Sequence, residues 1–285
     1  MDRGAGRRII VNADDLGLST SVNTAIFNVF KAGNLNSATL MVAMPGTADA
    51  VSRLKDHSGL AVGLHFCITE GSPLIGPCTL CGEDGQFMDR SRLIRALYKG
   101  QVRTEDVAFE FRRQLERIIA FGITPTHVDS HQHVHMAPAV FKSMRPILEE
   151  YDLPLRVVDP PTIGVKNAMR WPQKALKQFL NKWFARSIRR NFSGPVNDAL
   201  VSIHDLPFAG PYDARTYREL LASTPVGSTV EVMVHPYLLG DDVLSMYGDG
   251  IDRKMPFLKR CEAEYQALSG EPVFNAHEMI DYRHV

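Results

Sequence analysis

"RRIIVNADDLG", residues 7–17, passes from two arginines through a short apolar run into two adjacent aspartates and a glycine. Its first part, "RRIIVNA", reads as a buried strand, and the strand ends where Asp14 and Asp15 begin. Two like charges at that point repel each other, and a bound cation would relieve the repulsion. The plainer alternative is a turn or helix cap, since "STS" (19–21) follows closely.

Outward from this stretch, strand-like and helix-like segments alternate. "STSVNTAIFNVFKAG" (19–33) reads as a helix with capping residues at its start and Gly33 at its end. "NSATLMVA" (36–43) and "GLAVGLHF" (59–66) read as strands. In "TEDVAFEFRRQLERIIAFG" (104–122), Val107, Phe111, Leu115, Ile118 and Ile119 recur on one helical face, and Gly122 stops the helix. "THVDSHQHVH" (126–135) begins a strand, "APAVFKSMRPILEEY" (137–151) is a helix and "LPLRVVD" (153–159) another strand. "STVEVMVHP" (228–236) is strand-like, and "MPFLKRCEAEYQALSG" (255–270) is helical after it. Such alternation implies an α/β fold with a parallel sheet covered by its crossover helices. The 285 residues suit a (β/α) barrel, with an open doubly wound sheet as the alternative. No repeat or low-complexity tract divides the chain, so one domain over 1–285 is expected.

The unusual polar residues sit where the strands end. Asp14 and Asp15 close the first, His65 the third and His235 a late one, with Pro236 after it. This is the end of a barrel at which active sites are built. "THVDSHQHVH" holds four of the ten histidines. If extended, it places Asp129, His131, His133 and His135 on one face, because side chains alternate with period two. Imidazole with carboxylate is a donor set for zinc and similar ions. His65 alone reads more simply as a hydrogen-bonded core histidine. One aspartate of the pair can ligate a metal while the other stays free as a base toward water. A histidine at the rim, His235, can donate a proton to a leaving group.

Composition narrows the alternatives. The 32 basic and 32 acidic residues cancel, and 45% hydrophobic residues are ordinary for a globular protein. Balanced charge gives no reason to expect nucleic-acid binding. The first apolar run is shorter than the roughly 7–15 residues of a secretory signal, and nothing approaches the roughly 18 of a membrane span. A cytoplasmic protein is the expectation. Cys78 and Cys81 form a C-x-x-C with no second ligand pair, so reduced thiols are expected there and at Cys67 and Cys261.

"VNADDLG", "VGLHF", "PTHVDSHQHVHM" and "EVMVHP" follow one another in the order and approximate spacing of the YdjC-like carbohydrate deacetylases, which this chain resembles from about residue 7 to about residue 240. That family includes chitooligosaccharide and hopanoid-biosynthesis deacetylases. The resemblance implies a distorted TIM-like barrel of the glycoside hydrolase/deacetylase type. It also implies hydrolytic removal of an N-acetyl group from an amino sugar with one divalent metal ion, magnesium or zinc. It places Asp15, His65 and His131 as metal ligands, Asp14 as catalytic base and His235 as general acid. Spacing alone leaves His133 and His135 equal to His131, and the resemblance selects only His131. A homodimer is compatible with the related enzymes.

"QKALKQFLNKWFARSIRR" (173–190) contains Lys174, Lys177, Lys182, Arg186, Arg189 and Arg190 and no acid. It reads as a basic amphipathic helix within an insertion at about 166–192. Its apolar stripe is Leu176, Phe179, Leu180, Trp183, Phe184 and Ile188. The stripe can pack on the barrel, the favoured reading, or lie on an anionic membrane. The segment is similar to the hopanoid-type members, which adds a lipid-linked amino sugar to the substrates expected. Two rival readings remain. A glycosidase would need carboxylates roughly 5–9.5 Å apart across a sugar bond and would leave the histidines unexplained. A metal-dependent sugar-binding protein without turnover would bind ligand and release no acetate.

Overall fold

The computed structural model describes residues 7–160, 172–207 and 210–285. Residues 166–171 of the expected insertion lie outside the described residues, as do the side chains of Lys174 and Lys177. Seven parallel strands form one curled sheet: β1 (Arg8–Leu16), β2 (Ser37–Leu40), β3 (Ala61–Phe66), β4 (Val128–Ser130), β5 (Ala199–Val201), β6 (Thr229–Val234) and β7 (Glu278–Met279). Their order is β4-β3-β2-β1-β6-β5, with β7 added to β1 at Arg8 and Ile9. The main helices are α1 (Thr20–Lys31), α2 (Thr47–Leu54), α3 (Arg90–Tyr98), α4 (Thr104–Ala120), α5 (Pro138–Glu150), α6 (Pro172–Asn191), α7 (Ala214–Ala222) and α8 (Ile251–Leu268).

Strand periodicity explains why this sheet has a polar side. On β1, Ile9, Val11 and Ala13 join the large apolar core, as do Val62, Leu64 and Phe66 of β3 and Val230, Val232 and Val234 of β6. The intervening residues point the other way. Ile10 packs with Ile280 and Tyr282, whereas Asn12, Asp14, His65, Asp129 and Glu231 are buried polar groups. Register sets these groups side by side, for Ile10 pairs with Glu231 and His65 with Asp129. The concave face of the sheet is therefore lined with charge.

The α/β class and parallel sheet agree with the sequence reading, but the ladders do not draw a regular eightfold barrel. They leave a gap between β4 and β5, which residues 154–159 span. "LPLRVVD" is not a strand there; it makes isolated bridges through Leu155 to Val128 and Val196, helped by Leu200 N–H donating to the Asp159 carbonyl. Pro154 supplies no N–H to extend a ladder. "THVDSHQHVH" departs further. Its strand is only Val128–Ser130, after which His131–Met136 coils into a tight turn with Gln132 and His133 at φ 55° and 57°. The four alternating side chains consequently do not share a face. On α4, Ile119 is 42% exposed and leaves the apolar stripe that Val107, Phe111, Leu115 and Ile118 maintain. α6 is divided: Ala185 and Ile188 are buried, while Phe179 is 65% and Trp183 55% exposed, with Leu176 and Leu180 also outside the core. The stripe thus packs on the sheet only through its C-terminal half. All four cysteines are free.

Candidate metal centre and catalytic groups

β1 does not stop at the aspartates but continues through them with a register shift against β2 between Ala13 and Leu16. Asp15 adopts φ 66°, a left-handed conformation uncommon for a residue with a side chain. Gly17 follows at φ +89°, where a Cβ would lie 2.7 Å from the Met41 carbonyl oxygen. This kink turns two consecutive aspartates toward the same end of the sheet, which an undistorted strand forbids. Of the four non-glycine residues with positive φ among the described residues, Asp15, Gln132 and His133 lie around one site, where such strain commonly collects, and Asp152 lies just beyond the end of α5.

Asp15 Oδ1 lies 3.2 Å from His65 Nε2 and 2.9 Å from His131 Nδ1. His65 is fixed from behind, its Nδ1 being 2.7 Å from Asp129 Oδ1 on the neighbouring strand. This is the carboxylate–imidazole arrangement that orients a metal ligand and leaves Nε2 as its donor atom. Tyr237 Oη donates to Asp15 Oδ2 at 2.5 Å, and His131 Nε2 is 3.6 Å from Glu70 Oε1. One carboxylate and two imidazoles whose ligand atoms lie within 4.8 Å of one another fit a small divalent ion with open positions. In its absence burial disfavours charge on the imidazoles, yet Asp129 draws the pKa of His65 up to about 9 and Asp15 raises that of His131. A cation among these groups would take the place of those protons.

Asp14 is held differently. Arg156, fully buried, grips both its oxygens, Nη1 to Oδ2 at 2.7 Å and Nη2 to Oδ1 at 2.6 Å. The same guanidinium reaches Asp129 Oδ2 at 2.6 Å and also bonds Glu231, to which Tyr282 Oη donates. Burial alone would raise the Asp14 pKa, but Arg156 overcomes it and holds the carboxyl well below the usual range. For Glu231, burial prevails over the arginine and the pKa rises to about 7. His235 Nε2 lies 3.7 Å from Asp14 Oδ2. Burial lowers its pKa against the opposing pull of Asp14 and Asp15, so the imidazole is neutral at pH 7.

The structure therefore brings together Asp14, Asp15, His65, His131 and His235. It separates the two histidines left open by spacing. His135 turns inward, with Nδ1 2.5 Å from Ser130 Oγ and Nε2 3.0 Å from the Arg156 carbonyl, whereas His133 lines the cavity above the site. Sequence reasoning missed Arg156, Glu231 and Tyr237; Asp129, grouped there with the histidines as a candidate donor, contacts His65 Nδ1 and Arg156 and forms a further possible metal group with Asp14 and His65. A signal was present: Arg156 in "LPLRVVD" and Glu231 in "STVEVMVHP" each interrupt an apolar run with a charge, and a buried charge demands a partner. Tyr237→Phe removes one hydrogen bond to Asp15 and little else. Its expected effect is metal affinity lower by about 10–100-fold, read by zinc titration calorimetry; an unchanged Kd would remove Tyr237 from the site.

The site floors a cavity of about 1670 Å³. One wall comes from Ile94, Leu97 and Tyr98 of α3 and another from Leu176, Leu180 and Phe184 of α6.

A curled parallel α/β sheet carries at its strand ends an Asp–His–His cluster that could hold a metal ion, beside an arginine-locked carboxylate. The chain belongs to the YdjC-like protein family, whose sequence model matches residues 8–278. A carbohydrate deacetylase of Geobacillus stearothermophilus is 44% identical over 152 residues, 53% of this chain and 60% of that protein. A chitooligosaccharide deacetylase of Serratia marcescens is 36% identical over 150 residues, 52% of this chain and 58% of that protein. The matches thus span less than two thirds of these curated relatives. In fold, the chain resembles an Enterococcus faecalis V583 protein described as a candidate cellobiose-phosphate cleavage protein, with TM-score 0.75, 21% identity and 98% of each chain covered.

Proposed function

We propose that the protein is a metal-dependent carbohydrate N-deacetylase that releases acetate from an N-acetylated amino sugar. The observation that carries this reading is the pairing of an Asp15–His65–His131 cluster with a separate, ionised Asp14 that faces His235. The relatives' names, carbohydrate deacetylase and chitooligosaccharide deacetylase, support it. A divalent ion at Asp15, His65 and His131 supplies Lewis acidity toward the acetyl carbonyl and the attacking water.

The protein's own groups then manage one proton. Asp14 accepts it from water as the C–O bond forms. Because Arg156 keeps the proton affinity of Asp14 low, the carboxyl passes it on readily to the neutral His235 nearby. His235 delivers it to the amide nitrogen as the C–N bond breaks, so the neutral amine leaves together with acetic acid, which gives its proton to solvent and departs as acetate. The test is acetate release from N-acetylglucosamine and its oligomers, with and without a chelator. Chelator-sensitive acetate is expected; acetate that persists after the metal is removed would sink the metal-dependent reading.

A second observation favours an apolar substituent on the sugar. Leu176, Phe179, Leu180 and Trp183 are exposed along α6, and two of them, Leu176 and Leu180, line the cavity wall. An amino sugar linked to a lipid would place its head over Asp14 and its tail along that wall, with α6 resting on the membrane surface. No helix among the described residues is long and apolar enough to cross a membrane, so this contact would be peripheral. Trp183→Ser with Phe179→Ser, two exposed residues outside the cavity lining, is expected to reduce co-sedimentation with phosphatidylglycerol vesicles at least several-fold while leaving turnover of soluble oligomers unchanged. Equal sedimentation of parent and variant would remove the membrane contact.

A further inference from the structure

Next to His235 lies a constellation that the reaction above leaves unused. His204 sits in the short turn Ile203–Asp205 after β5, His235 follows β6, and Glu264 projects from α8. One ligand atom from each lies within 4.8 Å of the others. His204 Nε2 is 3.9 Å from Glu264 Oε2. Among the described residues, His204 Nε2 and His235 Nδ1 are buried without a hydrogen-bond partner. Glu264 is fully buried, and its hydrogen bonds come from neutral donors, the Tyr217 hydroxyl at 3.0 Å and the His235 amide at 2.6 Å.

Each of these features is anomalous by itself. Buried ring nitrogens are ordinarily hydrogen-bonded, and buried carboxylates are ordinarily paired with a cation. Here two unpartnered nitrogens and one under-compensated carboxylate occur together. A single cation would satisfy all three.

We propose that His204, His235 and Glu264 form a second metal site, separate from the Asp15–His65–His131 cluster and suited to zinc. Two imidazoles and one carboxylate match zinc better than magnesium, which prefers an all-oxygen shell. His204 is ready to ligate: burial, then His235 and Arg260, lower its pKa to about 3, so its lone pair is free of a proton at pH 7. Burial raises the Glu264 pKa to about 8, the mark of a carboxylate short of positive charge. A cation on His235 Nδ1 leaves the imidazole's one proton on Nε2, which faces Asp14. With zinc bound there His235 cannot take a second proton from Asp14, so the second site and the proton relay exclude one another, and zinc held here is expected to slow the proposed deacetylation without altering the first site.

The test uses the untagged full chain, stripped with chelator, reloaded with zinc alone and gel-filtered. Bound zinc is counted by plasma mass spectrometry, and the ions are located by anomalous diffraction at the zinc edge. Two zinc ions per chain are expected, with one peak among His204, His235 and Glu264. His204→Asn is expected to hold one zinc, Asp15→Ala one, and the double variant none. The zinc retained by His204→Asn also shows that this variant is folded. One zinc per chain in the parent, or no anomalous peak among the three residues, would overturn the proposal whether or not any variant folds. Acetate release is measured separately, so loss of this proposal and loss of the deacetylase reading give different results.

Discussion

Asp14→Asn retains the metal and loses turnover by roughly 10²–10⁴-fold, the range set by removing a positioned general base. Asparagine keeps the shape of aspartate, and its carbonyl oxygen can still accept a hydrogen bond from Arg156, but it cannot take up a proton from water. Asp15, His65 and His131 meet through contacts that do not pass through Asp14, so metal content should match the parent. Asp15→Ala removes the carboxylate on which both imidazoles converge, and the metal held by Asp15, His65 and His131 should disappear together with turnover, leaving only the zinc among His204, His235 and Glu264. Metal analysis beside acetate release separates the two variants. Equal metal loss would show that the adjacent aspartates act as one ligand pair and that their division of labour is wrong.

Arg156→Met is expected to destabilise the fold by about 3–5 kcal/mol, the penalty for breaking a buried ion pair and leaving charge behind. The guanidinium serves Asp14, Asp129 and Glu231 simultaneously, and methionine fills its volume without answering any of them. Glu231→Gln should be much milder. Burial already raises the Glu231 pKa to about 7, and the amide oxygen can still accept from Tyr282. Urea unfolding of the three proteins measures the difference. An Arg156→Met midpoint close to that of the parent would mean that the carboxylates take up protons at little expense and that the network is not what holds this end of the sheet.

The legible part of the molecule was its periodic part. Apolar runs located β1, β2, β3 and β6, and helical spacing located α1, α4, α5 and α8, because burial of one face writes itself into the residue order. α2, α3 and α7 are only eight or nine residues long, too short for their periodicity to stand out, and they passed unnoticed. The largest error came from "THVDSHQHVH". Alternation of residue types looked like a strand face, whereas left-handed backbone at Gln132 and His133 coils the segment after three residues. Period two in sequence is evidence for a shared face only where the backbone remains extended. Asp14, Asp15, His65 and His235 were visible because each closes or follows an apolar run, whereas His131 was singled out from its neighbouring histidines only by the family resemblance. Arg156 and Glu231 were not, since a charge on the inward face of a curled sheet looks, in one dimension, like an interruption of the apolar pattern.

The pairing of β1 bears on how the protein emerges from the ribosome. This strand carries both aspartates, and its partners β6 and β7 lie more than two hundred residues downstream. At about 5–20 residues added per second, the edge that will receive β6 stays open for on the order of ten seconds or longer after β1 and β2 have been made. During that interval an apolar strand with unpaired backbone groups is available to the wrong neighbour. Synthesis rate and access to chaperones thus become determinants of how much protein acquires its site, since Asp14 meets His235 only when β6 docks.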